Sequence, residues 1–255
     1  MTIIQAIIIA IVEGVTEFLP VSSTGHMILA SSLLGIDNDS FLKTFEISIQ
    51  LGAILAIVFM YARRFLKSFE IYKKLIAAFI PTAVIGFVAY GFIKHYLFNP
   101  IIVSVTLILG GIILILINKR MVSAVSEYKD VEDISLKNSF FIGLIQCISM
   151  IPGVSRAAAT IVGGTFNGFN KKQAMEFSFL LAVPTMCAAT GLDILKTDVV
   201  FDQHKIILLA VGMVTAFVVA WLAVKAFVAF VEKRGFAFFG WYRIGIGILY
   251  LLLVH

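Results

Sequence analysis

The sequence predicts an all-α integral membrane protein: six transmembrane helices plus two re-entrant helix-loop-helix hairpins, arranged as two inverted-topology repeats. Three observations predict it. Apolar residues fill 60% of the 255 positions and charged residues 14%, with a mean hydropathy of +1.03. A soluble domain of that balance would expose too much apolar surface to water. Apolar stretches recur at about the length, roughly 20 residues, that crosses a hydrocarbon layer about 30 Å thick. Two further apolar regions are broken near their middles by polar runs containing Pro and Gly.

The first element is one of these broken regions. Residues Thr2–Leu34 are largely apolar but are interrupted at Leu19-Pro20-Val21-Ser22-Ser23-Thr24-Gly25-His26. Pro cannot donate a backbone hydrogen bond, and Gly and Ser loosen a helix. A break at membrane depth is tolerated only where protein or a wet cavity surrounds it. The region therefore reads as a half-helix in, a loop, and a half-helix out. Three spans follow, near Phe41–Met60, Leu75–Phe92 and Ile101–Ile117. The polar run from Asn118 to Ser139 is a solvated connection. The second broken region, Phe140–Phe166, is interrupted at Ile151-Pro152-Gly153-Val154-Ser155-Arg156 and forms the second hairpin. Spans near Gln173–Leu195, Ile206–Phe230 and Ala237–Leu253 complete a single polytopic membrane domain, residues 1–255, with repeats of about 1–118 and 139–255.

Positive charge orients the chain. With six spans, one side carries Arg63, Arg64, Lys67, Lys73, Lys74, Lys119, Arg120, Lys129, Lys137, Lys171, Lys172, Lys233 and Arg234. The other carries Lys43, Lys94, Lys196 and Lys205. The first side is expected to be cytoplasmic, so the first hairpin enters from outside and the second from the cytoplasm. A hairpin that crossed the membrane would destroy this split. Each half contains a broken hairpin, a span with an acidic residue near its start (Glu46, Glu176), and two further spans. Three spans per half invert the second half, and such repeats place a site near the midplane where the breaks meet. The net charge of +5 is dispersed over loops without a dense stripe, which argues against nucleic-acid binding.

A charge at bilayer depth costs roughly 2.5–3.5 kcal/mol on translocon scales and marks function or a partner. The candidates cluster in the hairpins. Glu13 and Glu17, four residues apart, share a helix face; such a pair can transfer protons or share a divalent cation. Pro20 ends the first half-helix. Ser22, Ser23 and Thr24 are N-cap candidates for the second, with His26 in its first turn. A helix N-terminus is a ready anion site, and a His there can move a proton or act as nucleophile. In the second loop Ser155 is the N-cap candidate, with Arg156 in the first turn and Thr160 one turn on. The Arg fork matches phosphate oxygens, so Arg156 is expected to bind phosphate, with the glutamates as its partners at rest. Lys225 and Arg243 read as side chains that snorkel to the cytoplasmic surface, and Trp241 and Tyr242 as an interfacial belt. Together these groups describe a site for a phosphate carried on a lipid.

The run Glu13-Gly14-Val15-Thr16-Glu17-Phe18-Leu19-Pro20-Val21-Ser22-Ser23-Thr24-Gly25-His26 resembles the first signature of the bacterial undecaprenyl-diphosphate phosphatases of the bacitracin-resistance type. Pro152-Gly153-Val154-Ser155-Arg156 with Thr160 resembles their second signature, and Phe177-Ser178-Phe179-Leu180-Leu181-Ala182-Val183-Pro184 is also similar to that family. The resemblance covers nearly the whole chain. It departs at Ala157, where the family usually carries Ser. The resemblance implies removal of the terminal phosphate of undecaprenyl diphosphate at the outer face of the bacterial plasma membrane, recycling the cell-wall lipid carrier and conferring bacitracin resistance. It implies a divalent cation, Mg2+ or Ca2+, and metal or proton roles for Glu13 and Glu17. Ser23 and His26 would supply the nucleophile and its proton partner, and Ser22, Thr24, Ser155, Arg156 and Thr160 would hold the diphosphate. Whether Ser23, His26 or water attacks phosphorus stays open.

The competing class is a lipid-phosphate flippase or secondary transporter, since transporters also use inverted repeats and broken helices. A transporter needs Arg156 but has less need of Glu13, Glu17, Ser23 and His26 together. The expected partners are a polyprenyl diphosphate lipid and the phospholipid bilayer, and a homo-oligomer is compatible with the sequence.

Overall fold

The computed structural model describes residues 1–37, 39–92, 100–195 and 201–254. Asn38, Lys94, His95, Lys196 and His255 lie outside the described residues. Regular structure among the described residues is entirely helical. The first half runs α1 (Ile3–Thr16), α2 (Ser23–Leu33), α3 (Ser40–Met60), a short α4 (Ala62–Lys67), α5 (Phe69–Phe92) and α6 (Pro100–Ser123). The second runs α7 (Leu136–Gln146), α8 (Arg156–Phe166), α9 (Lys171–Leu195), α10 (Gln203–Arg234) and α11 (Ala237–Val254).

Local chemistry starts these helices where it should. Thr2 and Gln5 form a reciprocal capping box before α1. Asp39 accepts from the Leu42 N–H before α3, Ser135 from Asn138 before α7, and Asp202 from Lys205 before α10. Each satisfies an N–H that the first turn leaves without a carbonyl. Gly235, at φ 72°, stops α10 and lets the chain reverse into α11.

Among the described residues, α3, α5, α6, α9 and α10 contain stretches long and apolar enough to cross a membrane. The sixth expected span falls on α11, which has 18 residues and so rises roughly 27 Å at 1.5 Å per residue. The two broken regions are α1–α2 and α7–α8, with helices of 14, 11, 11 and 11 residues. Each is shorter than the roughly 20 residues a crossing needs.

Five helix pairings position the site. α6 lies along α11, α3 meets both α9 and α10, α1 packs on α10, and α7 packs on α5. An aromatic core joins the elements beside the breaks. Phe18 meets Phe179 edge-on at 5.9 Å, and Phe227 links Phe179 to Phe236 and Phe239. Fully buried Phe18 follows Glu17 directly, so aromatic packing fixes the residue beside the first carboxylate of the site.

Candidate active site

α1 ends at Thr16, one turn before Pro20. Glu17 is its C-cap, still helical, and donates its N–H to Glu13 O at 2.9 Å. The two glutamates therefore keep their i, i+4 relation on one face. A turn then leads to Ser22, at φ 71° and ψ 92°, and α2 begins at Ser23. The second break repeats this geometry. After a short 3-10 turn, Cys147–Met150, the chain reaches Ser155 at φ 72° and ψ 115°, and α8 begins at Arg156. Ser155 Oγ accepts from the Ala158 N–H at 3.2 Å. Ser22 occupies the equivalent N-cap position, but its side chain makes no capping hydrogen bond, so the expected hydroxyl cap is absent at this break. Gly153, at φ 90°, could not carry a side chain: a Cβ there would lie 2.1 Å from Thr106 Oγ1. That close approach lets Thr106 Oγ1 donate to Pro152 O at 2.6 Å, seating the second loop on α6.

The breaks converge. Between them is a cavity of about 180 Å3, walled by Glu17, Ser22, Ser23 and Thr24 on one side and Ser155 and Arg156 on the other. Gln50 of α3 and Ser149 complete its polar lining. Arg156 Nη2 lies 3.1 Å from Glu17 Oε1, the two side chains retaining 12% and 6% of their exposure. Ser23 Oγ donates to the other carboxylate oxygen, Glu17 Oε2, at 2.6 Å. Arg156 Nη1 donates to Ser178 O at 3.0 Å, while Nε has no protein partner.

Of the residues expected in the site, Glu17, Ser22, Ser23, Thr24, Ser155 and Arg156 line the cavity. Glu13, His26 and Thr160 stand behind it. Thr160 is fully buried; its hydroxyl bonds to Arg156 O and Ser178 Oγ, so it supports the arginine rather than facing the cavity. His26 is held at both ring nitrogens: Nδ1 is 2.8 Å from Ser22 O and Nε2 is 2.8 Å from Tyr242 Oη. The His26 and Tyr242 rings stack with 5° between their planes. Glu13 is fully buried, and neither carboxylate oxygen has a hydrogen-bond partner.

Several residues that shape the site were not expected there. Ser178 orients Arg156, and its signal was its place in the run Phe177–Pro184 noted above. Gln50 and Ser149 are uncharged and left no signal. Arg243 does not snorkel to the surface: it is completely buried, with its donors on backbone carbonyls of both breaks and of α6. Tyr242 likewise turns inward to His26 instead of serving only as a belt residue.

The orphan carboxylate of Glu13 bears on a cation. A buried carboxylate without a partner calls for a proton or a metal ion. Among the described residues no cluster of three or more His, Cys, Asp or Glu could by itself enclose a metal. Two carboxylates on one helix face nevertheless match the usual protein share of a Mg2+ site, where phosphate and water oxygens complete the shell. The residues present fit a cation shared with a phosphorylated substrate.

The chemistry available is that of an oxyanion site. Two helix N-termini, an arginine fork with a spare donor, and hydroxyls converge on one small cavity. A carboxylate is hydrogen-bonded to one of those hydroxyls, the pairing of a base with a nucleophile.

Comparison with known proteins bears on this geometry. The family model described as "Bacitracin resistance protein BacA" matches residues 6–249. A protein of Persephonella marina named undecaprenyl-diphosphatase is 51% identical over 254 residues, covering 100% of both chains. One of the same name from Bdellovibrio bacteriovorus is 49% identical over 255 residues, covering 100% of this chain and 97% of its own. Another from Aquifex aeolicus is 49% identical over 251 residues, covering 98% of each.

Proposed function

Since this chain belongs to the bacitracin resistance protein BacA family, we propose that its cavity is the active site of an undecaprenyl-diphosphatase. The protein hydrolyses undecaprenyl diphosphate to undecaprenyl phosphate and inorganic phosphate. The observation that carries this reading for the cavity is the pairing of Glu17 with both Arg156 and Ser23, at 3.1 and 2.6 Å.

In the proposed reaction the terminal phosphate takes the place of Glu17 on Arg156. The fork then holds two phosphate oxygens, and the first N–H groups of α2 and α8 face the remainder. Release of Glu17 from the arginine leaves its carboxylate free to take the Ser23 proton. Ser23 Oγ attacks the terminal phosphorus, its proton passes to Glu17, and the bond from that phosphorus to the bridging oxygen breaks. Undecaprenyl phosphate leaves, and water hydrolyses the phosphoserine. His26, behind Ser22, holds the first turn of α2 in place. Glu13 and the Glu17 oxygen that faces away from Ser23 would hold a Mg2+ or Ca2+ ion, which when bound offsets negative charge on the diphosphate oxygens. Positioning and charge stabilisation carry most of such a reaction.

The proposed setting is a bacterial plasma membrane, with six spans and two re-entrant hairpins. The α1–α2 hairpin would enter from outside and α7–α8 from the cytoplasm, in inverted repeats. Three features support it: the short helices of both breaks, their matching serine geometry, and the asymmetric loop charge. The active site then faces outward, where the lipid carrier is recycled and bacitracin finds its diphosphate target.

The test is purified protein in detergent with undecaprenyl diphosphate and Mg2+ or Ca2+. Release of inorganic phosphate is expected. No release, together with movement of the intact lipid across proteoliposomes, would instead make the protein a flippase.

A further inference from the structure

Arg243 carries an arrangement that the hydrolytic scheme does not use. A guanidinium has five N–H donors, and here all are engaged by backbone carbonyls. Nε donates to Leu107 O at 3.3 Å. Nη1 donates to Pro20 O at 3.1 Å and Val154 O at 3.0 Å. Nη2 donates to Thr106 O at 3.2 Å and Gly153 O at 2.8 Å. The side chain is 0% exposed, and none of its hydrogen-bond partners is a carboxylate. Pro20 belongs to the first break, Gly153 and Val154 to the second, and Thr106 and Leu107 to α6. One planar cation thus joins both active-site loops to one helix.

The slot is encoded in the sequence. A Cβ on Gly110 would lie 2.2 Å from Arg243 Nη2, and one on Gly111 would lie 2.5 Å from Gly240 O. The paired glycines let α11 lie against α6 closely enough for the guanidinium to pass between them. Lys could not substitute: its three donors radiate from a single nitrogen and cannot reach five carbonyls spread across a plane.

We infer that Arg243 is a positioning residue, a carbonyl clamp that holds the two loops in register during turnover. The inference rests on the hydrolase reading above. Among the described residues two further polar ties join the loops at rest, Glu17 to Arg156 and a long Ser155 Oγ to Leu19 O contact of 3.5 Å, beside a cation–π contact of Arg156 over the Phe18 ring at 5.6 Å. Substrate phosphate must break the first of these to reach Arg156. The second is at the limit of a hydrogen bond. Arg243 is then the strong link that keeps Ser23 aimed at a phosphate held by Arg156. It makes no contact with the substrate, because it has no donor to spare.

The test compares Arg243→Lys, Arg243→Ala and Gly110→Ala with the wild type, using phosphate release and hydrogen exchange. Gly110→Ala keeps the charge but pushes the guanidinium from its slot. With catalytic groups intact but misaligned, kcat should fall by about a hundredfold in Arg243→Lys and Gly110→Ala, while KM moves far less. Millimolar guanidinium should restore part of the lost rate to Arg243→Ala, where sodium at equal ionic strength does not. Exchange should rise together at the N–H groups flanking Pro20 and Pro152, those of residues 17–19 and 21–22 and of residues 151 and 153–155. Wild-type kcat in Arg243→Lys, exchange rising in one loop or neither, or variants that fail to fold in detergent would each overturn the clamp. A wild type that releases no phosphate counts against the hydrolase reading alone, and the exchange measurement still judges the clamp.

Discussion

Ser22 and Ser155 share one uncommon backbone conformation, φ 71° and 72°, at the residue immediately before α2 and α8. Among the described residues they are the only non-glycine positions with positive φ. Such a conformation costs of order 1–3 kcal/mol per residue and persists when surrounding contacts enforce it. Its recurrence at the two walls of one cavity ties the strain to the site. In both loops the turn sends the chain back into a helix whose N-terminus faces the cavity.

That strain predicts an unusual order of stabilities. Ser155→Ala keeps the positive φ and loses the hydroxyl that caps Ala158, so it should be less stable by about 1 kcal/mol. Ser155→Gly loses the same cap but relieves the backbone, so it should be at least as stable as the wild type. Thermal unfolding in detergent reads the difference, and an Ala variant as stable as the Gly variant would contradict the strain.

Glu17→Gln and Arg156→Lys should each lower phosphate release by at least two orders of magnitude, about 2.7 kcal/mol of barrier. Gln can still accept from Ser23 but cannot take its proton. Lys keeps a charge but cannot form the fork. Gel filtration establishes that each variant is folded. Turnover near the wild-type rate in either removes that residue from the chemistry.

Ser23 and His26 are separated by their surroundings. Ser23 donates to Glu17 in the cavity, whereas His26 is held by Ser22 O and Tyr242 behind it. Ser23→Ala should therefore abolish turnover, while His26→Gln, which can bond to both partners, should lose no more than about tenfold. Equal losses in the two variants would return His26 to the reacting groups.

Glu17 and Arg156 were legible in the sequence because a charge in an apolar hairpin needs an explanation, and each explains the other. Their convergence was legible from Pro and Gly interrupting otherwise continuous apolar runs. Arg243 was misread for a physical reason. Its neutralising groups are backbone carbonyls, which every residue carries, and those of the two breaks lie 223, 90 and 89 positions away. Gly110 and Gly111 were its trace, but two glycines in an apolar helix read equally well as ordinary packing. The partner of His26, Tyr242, left no trace in the sequence because it is 216 residues distant.

Topology gives a separate expectation. In a protein with Cys147 and Cys187 replaced, a cysteine at Asp37, between α2 and α3, should react with an impermeant maleimide on intact cells. One at Lys129, between the halves, should react only after lysis. The reverse pattern would invert the proposed orientation and move the cavity to the cytoplasmic face.

On the expected cytoplasmic side, Arg64 bridges Asp130 of the connecting loop at 2.8 Å and Glu176 of α9 at 2.7 Å. Burial raises the Asp130 pKa, but the hydrogen bond and charge of Arg64 outweigh it and hold the carboxyl below its ordinary 3.8. Folded Asp130 therefore binds a proton less readily than unfolded Asp130 does. Its stabilisation is fully present above the ordinary value and is lost as pH falls through the lower folded value. With over a third of each side chain in the pair exposed, the contribution is under about 1 kcal/mol. Asp130→Asn should lower the unfolding temperature slightly at neutral pH, and the gap from the wild type should close as pH falls below 3.8. A gap that persists unchanged in acid would mean that the carboxylate charge is not what Arg64 recognises.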